Sequence, residues 1–183
     1  MFLFRTSAPS PAAPANPVID AIRQGADRTG TNFDYLVKTA QRESALDPEA
    51  KARTSSATGL FQFIEQTWLS MVRSEGAKHG LEEAASAITQ GADGRLAVPD
   101  QKMRQQIMNL RRDPEVASTM AGAFTQRNRD QLQASLGREP TGGELHELVQ
   151  GRGRGKLPLR LAVEGLGLTE QLWQVQAQAV LQD

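Results

Sequence analysis

The chain is predicted to be all-α, and three observations support this class. Apolar residues recur every three or four positions, which is the period of a helix with one buried face. Helix start signals recur too, and the sharpest is Asp113-Pro114-Glu115, which combines a capping residue, a Pro at the first helical position and an acid in the first turn. No alternation of apolar and polar residues runs for more than a few positions, so no long strand is expected.

Residues 1–16 are rich in Pro, Ala and Ser, and they are predicted to be a disordered leader. A domain is predicted over residues 17–145. Its first helix begins at Pro17 and ends near Gly30. Its second helix begins at Phe33, behind Thr31 or Asn32 as the N-cap, and Pro48 stops or bends it.

The third helix is predicted over about residues 60–73, followed by a short helix near 81–89 and a loop over 91–100. Asp100 is expected to cap the next helix. The long helix that starts at Asp113 is predicted to reach Leu136, with Gly137 as its C-cap. Thr141-Gly-Gly-Glu144 has the spacing of a capping box and predicts one more helix. Residues 146–183 read as a divergent, partly disordered segment with a Gly/Arg run at 151–156 and an amphipathic helix at 169–182.

Composition limits the classes of function. The 21 basic residues balance 21 acidic ones, so the total charge gives no reason to expect a nucleic acid or an anionic membrane as partner. The chain has no Cys, which excludes disulfides and thiolate catalysis. His79 and His146 are far apart and lack ligand spacing, so we expect neither a metal nor a cofactor.

Export is not settled by the sequence. No run approaches the roughly 20 apolar residues of a membrane span. The first residues, Met-Phe-Leu-Phe-Arg-Thr, lack the apolar region of about 7–15 residues that a secretory signal requires. The route by which the chain would leave the cytoplasm therefore stays open.

Glu43 is the candidate catalytic residue. The apolar stripe of the second helix, which reaches Ala40, continues one turn later onto Glu43 and Ser44. A carboxyl group is therefore carried on a face that should meet the core, where desolvation and the negative end of the helix favour the neutral acid. A general acid that works near neutral pH needs such an environment. The alternative is a Glu that reaches water or pairs with Arg42.

A second stretch bears on that choice. Residues 54–59 are all small or polar, and they lead directly into a strongly apolar segment, 60–68. Such a link can bring a Gly turn and the side chain of Gln62 back toward the end of the second helix.

These stretches resemble a known family. Its pattern of Glu-Ser, a short spacer with Pro, Gly-Leu-Met-Gln and a following Thr is similar to Glu43-Ser44, Pro48, Gly59-Leu60-Phe61-Gln62 and Thr67-Trp68. The family is that of the soluble lytic transglycosylase (SLT) domain, which has a lysozyme-like fold. Here Phe61 replaces the Met and the spacer is longer. The resemblance is strong over residues 30–75, fair over 15–141 and poor beyond.

The resemblance implies an enzyme that cuts the glycan strands of peptidoglycan between N-acetylmuramic acid and N-acetylglucosamine without consuming water. It implies that Glu43 is the single acid and base, and that Ser44, Ser55, Ser56 and Gln62 bind substrate. It also implies a periplasmic or cell-envelope location. The sequence of residues 39–68 most resembles that of a branch associated with flagellar rod assembly in alphaproteobacteria. This resemblance implies a flagellar rod protein as a partner.

The chain departs from the family at its third motif. The flagellar branch would read roughly Glu-Leu-Tyr-x-Ala-His-Phe-x-Gly, whereas residues 144–151 read Glu-Leu-His-Glu-Leu-Val-Gln-Gly, and the only Tyr is Tyr35. A shifted reading frame after Leu145 is one hypothesis, which translation of the gene in the other frames would test. The departure leaves a second function open: a peptidoglycan-binding or flagellar assembly protein with weakened turnover.

Three further alternatives carry less weight. Asp47, four residues after Glu43, would be a second carboxylate and would favour hydrolysis, although its place before Pro48 favours a capping role. Ser55 and Ser56 could equally be ordinary loop serines, and Gln62 could be a polar residue at a helix start that satisfies backbone groups. Ser44 also fits a role in holding the local backbone or in orienting Glu43. The Gly/Arg run at 151–156, without interleaved aromatics, is weak support for a nucleic-acid binder.

Overall fold

The computed structural model describes residues 16–141 and 143–145. The helices are α1 Pro17–Thr29, α2 Phe33–Ser44, α3 Glu65–Glu75, α4 Glu82–Ser86, α5 Gln101–Asn109 and α6 Pro114–Leu136. Short 3-10 turns lie at Gly76–His79 and Leu110–Arg112. Strands β1 Thr89–Gln90 and β2 Leu96–Ala97 form an antiparallel pair. The prediction of an all-α fold is confirmed, with this small hairpin added.

Helix α6 is the long element on which α1 packs. The two helices approach closely because both carry glycine at the contact: a Cβ on Gly25 would lie 2.6 Å from the Ser118 carbonyl carbon, and one on Gly122 would overlap the Thr29 side chain. Thr31, just beyond α1, donates from its hydroxyl to the Gly122 carbonyl oxygen at 3.0 Å. These contacts fix the start of α2 relative to α6.

The core is centred on Trp68 of α3, whose side chain is fully buried. Its indole Nε1 donates to the Ile107 carbonyl oxygen of α5 at 2.8 Å. Its ring centroid lies 5.4 Å from that of Phe63, which in turn lies 6.1 Å from that of Phe124 in α6. The aromatic contacts join the segment before α3 to the centre of the domain, which keeps that segment in a defined position.

Most predicted helix ends are confirmed. Asn16, Asn32, Asp100 and Asp113 each accept backbone N–H bonds at the N-cap of α1, α2, α5 and α6. The left-handed C-caps Gly30 and Gly137 end α1 and α6 as expected. The capping box is also formed, because the Glu144 carboxylate accepts from the Thr141 N–H at 2.8 Å and the Thr141 hydroxyl accepts from the Glu144 N–H at 3.3 Å.

One helix prediction is wrong at its start. The third helix begins at Glu65, not near Leu60, because the preceding residues form a bridged turn. Thr58 makes isolated antiparallel bridges with both Lys51 and Phe63, and Gln62 has a φ of 47°. Apolar periodicity does not register such a turn, since it contains apolar residues that are buried without being helical.

Several predictions lie outside the described residues. These are the leader over residues 1–15, the segment 146–183 with its Gly/Arg run, and the last helix at 169–182. Asn16, which the predicted leader included, is instead the N-cap of α1. The domain bounds 17–145 stay a prediction.

Candidate active site

The first part of the site is the C-terminal turn of α2, which carries Glu43. The Glu43 side chain is about three-quarters buried, with 26% of its surface exposed. Its Oε1 lies 3.4 Å from the Nε of Arg42, which is at the long limit of a hydrogen bond. The Arg42 side chain is itself 44% exposed, so this ion pair of neighbours is worth at most about 1 kcal/mol. Both sequence-based readings of Glu43 therefore have a structural counterpart: a largely sheltered carboxyl group, and a weak contact with Arg42.

The backbone after Glu43 turns sharply. Ala45 and Leu46 have φ values of 54° and 66°, and their N–H groups donate to the carbonyls of Gln41 and Ala40 at 3.0 and 3.3 Å. Left-handed backbone disfavours side chains by roughly 1–2 kcal/mol per residue. In the described part of the chain three non-glycine residues have positive φ, and the third is Gln62. The strained positions thus coincide with the two stretches that the sequence singled out, a distribution typical of functional sites.

The second part of the site is the turn Gly59–Gln62. Gly59 has a φ of 82° and donates its N–H to the Ala50 carbonyl at 2.8 Å. A Cβ at this position would overlap the backbone carbonyl oxygen of Arg111, so only glycine fits. The Gln62 N–H closes the turn by donating to the Gly59 carbonyl at 3.2 Å.

Ser44 joins the two parts. Its hydroxyl Oγ lies 3.1 Å from the Ala40 carbonyl oxygen in its own helix and 3.0 Å from the Leu60 carbonyl oxygen in the turn. A hydroxyl has one proton to donate, so the two carbonyls share it. The side chain next to Glu43 therefore ties the end of α2 to the Gly59–Gln62 turn. This contact fits the role of holding the local backbone that the sequence also allowed for Ser44.

Gln62 is partly committed to the loop. Its Nε2 donates to the Gly59 carbonyl at 2.9 Å and to the Ala50 carbonyl at 3.2 Å. Both amide protons are thereby used within the protein. No described residue donates a hydrogen bond to its Oε1. If Gln62 contacts substrate, the available group is this acceptor oxygen, which pairs with an N–H or O–H of a sugar.

Ser55 and Ser56 both accept hydrogen bonds from nearby backbone. The Ser55 hydroxyl accepts from the Ala57 N–H at 3.2 Å, and the Ser56 hydroxyl accepts from the Glu65 N–H at 3.1 Å, at the first residue of α3. Ser56 is exposed and Ser55 is half-buried. Each hydroxyl keeps its own proton for donation, so these local bonds leave room for a ligand contact.

The other nearby carboxylates are engaged elsewhere. Asp47 is exposed, and its Oδ1 accepts from the Glu49 N–H at 2.9 Å, which is the capping geometry expected before Pro48. Glu65 pairs with Arg104 at 2.6 Å. These contacts leave Glu43 as the most sheltered acid of the three, at 26% side-chain exposure against 32% for Glu65.

Tyr35 is a neighbour of the site that the sequence reading did not select. It lies two helical turns before Glu43, and the spacing of Tyr35, Thr39 and Glu43 places all three along one face of α2. Burial raises the pKa of the Tyr35 phenol above its ordinary value. Thr39 and the charge of Arg42 oppose that rise, and the charge of Glu43 adds to it. The four-residue spacing was the signal that could have found it.

The candidate residues Glu43, Ser44, Ser55, Ser56 and Gln62 all lie within one matched region. A family model described as the Transglycosylase SLT domain matches residues 20–93. The SLT match runs from within α1 to just beyond the first strand of the hairpin, and it therefore includes Glu43 and the Gly59–Gln62 turn. Helices α5 and α6 lie beyond it. The description is that of a lytic transglycosylase domain, which acts on peptidoglycan outside the cytoplasm, and the mostly helical fold agrees with it.

Over residues 16–141 and 143–145, no three His, Asp or Glu side chains come together in a way that could hold a metal ion. Over the same stretch of chain, every helix is too short or too polar to span a bilayer.

Proposed function

We propose that the chain is a peptidoglycan lytic transglycosylase with Glu43 as its single acid and base. The observation that carries the proposal is a largely buried carboxyl group, that of Glu43, directly before Ser44, whose hydroxyl ties this end of α2 to the Gly59–Gln62 turn, within the region of the SLT match. A general acid must hold a proton, so in this proposal Glu43 acts in its neutral form.

The reaction needs no second carboxylate. Neutral Glu43 gives its proton to the oxygen of the β-1,4 bond between N-acetylmuramic acid and N-acetylglucosamine, and that bond breaks. The muramyl acetamido group stabilises the oxocarbenium-like centre in place of a protein carboxylate. Glu43, now ionised, takes the proton of the C6 hydroxyl, and the C6 oxygen closes a 1,6-anhydro ring. The proton returns to Glu43, so the cycle balances without water.

The loop around Glu43 would supply the binding groups. Gln62 Oε1 would accept from a sugar N–H or O–H, and the hydroxyls of Ser55 and Ser56 would donate. Ser44 would act mainly by holding the turn against α2. We further propose a periplasmic location, which the SLT match supports, and a role in the passage of the flagellar rod, which the sequence of residues 39–68 supports.

The test uses purified protein and insoluble peptidoglycan. Wild type should release anhydromuropeptides, and Glu43→Gln should reduce their release at least about 100-fold, the usual contribution of an acid-base group, while it still binds the wall. Asp47→Asn is the matched control, because the amide keeps the oxygen that accepts from the Glu49 N–H. Full activity is expected for that variant.

The second candidate is a wall-binding or flagellar assembly protein with weak turnover, which the departure from the third motif favours. It predicts that the wild-type protein sediments with peptidoglycan and releases nothing. In that outcome Glu43→Gln and wild type would behave alike.

A further inference from the structure

Arg111 lies outside the SLT match, yet its side chain makes two hydrogen bonds to the loop of the candidate site. Its Nη1 donates to the Ser56 carbonyl at 2.7 Å and to the Phe63 carbonyl at 3.1 Å. Its Nε donates to the Met108 carbonyl at 3.1 Å, in its own neighbourhood. One guanidinium thus connects both ends of the segment 56–63 to the 3-10 turn Leu110–Arg112 that precedes α6.

The backbone of Arg111 contacts the same segment. Its carbonyl group packs so closely on Gly59 that a Cβ there would lie 2.9 Å from the Arg111 carbonyl carbon. Side chain and backbone therefore hold the segment at Ser56, Gly59 and Phe63. Gln62 lies between the last two of these points, and its amide is bonded to the Gly59 carbonyl at 2.9 Å.

The chemistry of the contact requires arginine. A planar guanidinium presents several N–H groups in a fixed fork, whereas a lysine ammonium is a single point charge on a flexible stem. Burial lowers the pKa of the Arg111 guanidinium from its ordinary value, and the nearby charge of Glu65 opposes this shift. The group nevertheless stays charged, so its bonds to the carbonyls are charge-assisted and stronger than neutral ones.

We propose that Arg111 is a positioning residue of this site: it sets the place of the Gln62 side chain by holding the 56–63 segment at both ends. This inference rests on the proposed function for its consequence in catalysis, but the positioning itself is a property of the free protein.

The first experiment measures positioning without activity. In isotope-labelled full-length protein, NMR spectra should show the Gln62 side-chain amide shifted and exchanging faster with water in Arg111→Lys than in wild type. Arg104→Lys is the matched control, because Arg104 is exposed and its side-chain hydrogen bond goes to Glu65, at 2.6 Å, outside the 56–63 segment. An unchanged Gln62 amide in Arg111→Lys would overturn the proposal, whatever the activity.

The second experiment measures the consequence on soluble glycan strands. Arg111→Lys should lower kcat about 10-fold or more while KM changes less than about 2-fold, because a displaced Gln62 aligns the bound sugar with Glu43 less well, and this alignment matters most in the transition state. In a Gln62→Ala background, Arg111→Lys should have no further effect on kcat, because its effect passes through Gln62. Additive losses would indicate a merely structural role and would refute the proposal.

The two experiments separate the possible failures. A wild-type protein that releases no product refutes the proposed function, and the NMR comparison then decides the positioning role alone. An active wild type whose Arg111→Lys variant keeps full kcat, despite a displaced Gln62 amide, refutes the role of Arg111 in the reaction.

Discussion

The substitution Gly59→Ala tests the geometry of the candidate site most sharply. Gly59 has a φ of 82°, and a Cβ at this position would overlap the carbonyl oxygen of Arg111. The left-handed conformation alone disfavours alanine by roughly 1–2 kcal/mol. The clash involves backbone, which cannot rotate away as a side chain can, and relief by a backbone shift adds roughly 1–3 kcal/mol. We expect the free energy of unfolding to fall by about 2–5 kcal/mol in total.

Gly80→Ala is the matched control. Gly80 has nearly the same φ, 80°, but a Cβ there would meet no atom within 4 Å. Both substitutions also reduce the freedom of the unfolded chain equally. The control should therefore lose only the conformational part, about 1–2 kcal/mol at most.

The assay is urea unfolding followed by tryptophan fluorescence, with Trp68 as the buried reporter. The difference between the two variants isolates the contact with Arg111. If Gly59→Ala and Gly80→Ala lower the free energy of unfolding by the same amount, the close approach of the turn to Arg111 is wrong. Arg111 would then not hold this turn in one place.

Three further predictions concern stability and charge. Trp68→Phe should lower the free energy of unfolding by about 2 kcal/mol or more, because it removes the 2.8 Å hydrogen bond to the Ile107 carbonyl and leaves a cavity. A change below about 0.5 kcal/mol in urea unfolding would contradict this prediction. Asp113→Ala should lower it by about 1 kcal/mol through loss of the α6 N-cap, whereas Asp113→Asn, which keeps the accepting oxygen, should lose much less in thermal melts. The Arg138 guanidinium, with the capping box, lowers the pKa of Glu144 from 4.5 to about 2. The Glu144 carboxylate therefore stabilises its turn above pH 4.5, and this stabilisation is lost as the pH falls toward 2. An NMR titration of the Glu144 carboxyl group with a midpoint near 4.5 would refute this prediction.

Local signals in the sequence were sufficient for much of the fold. The caps at Asn32, Asp100 and Asp113 were predicted because a short polar side chain before an apolar periodic run has one favoured use, the satisfaction of free N–H groups. The C-cap at Gly137 followed from the need for left-handed backbone at a helix end.

Non-local contacts account for what the sequence did not predict. The start of α3 at Glu65 depends on the bridges of Thr58 with Lys51 and Phe63, which no local pattern contains. The hairpin of β1 and β2 depends on the Gln66 side chain. Its Nε2 donates to the Leu96 carbonyl and its Oε1 accepts from the Leu96 N–H, both at 2.9 Å, so the amide bonds to β2 as a neighbouring strand would.

The same division applies to the site. Glu43 and Gln62 were found because their residue types in that order resemble a family pattern. Arg111 was not predicted, since it lies 55 positions after Ser56 in the sequence. In the sequence, Arg111 and Arg112 are an ordinary pair of basic residues before a helix. Long-range hydrogen bonds from a guanidinium to carbonyls leave no trace in local composition. Only the folded chain brings the three contacts together.

The central claim is that one carboxyl group, on Glu43, both gives and takes the proton of the reaction. It is tested most directly by digesting glycan strands in water enriched in heavy oxygen and examining the new muramyl ends. The account predicts 1,6-anhydro ends that carry no heavy oxygen, and their loss in Glu43→Gln. Reducing ends that carry heavy oxygen would show hydrolysis by an activated water and would contradict it.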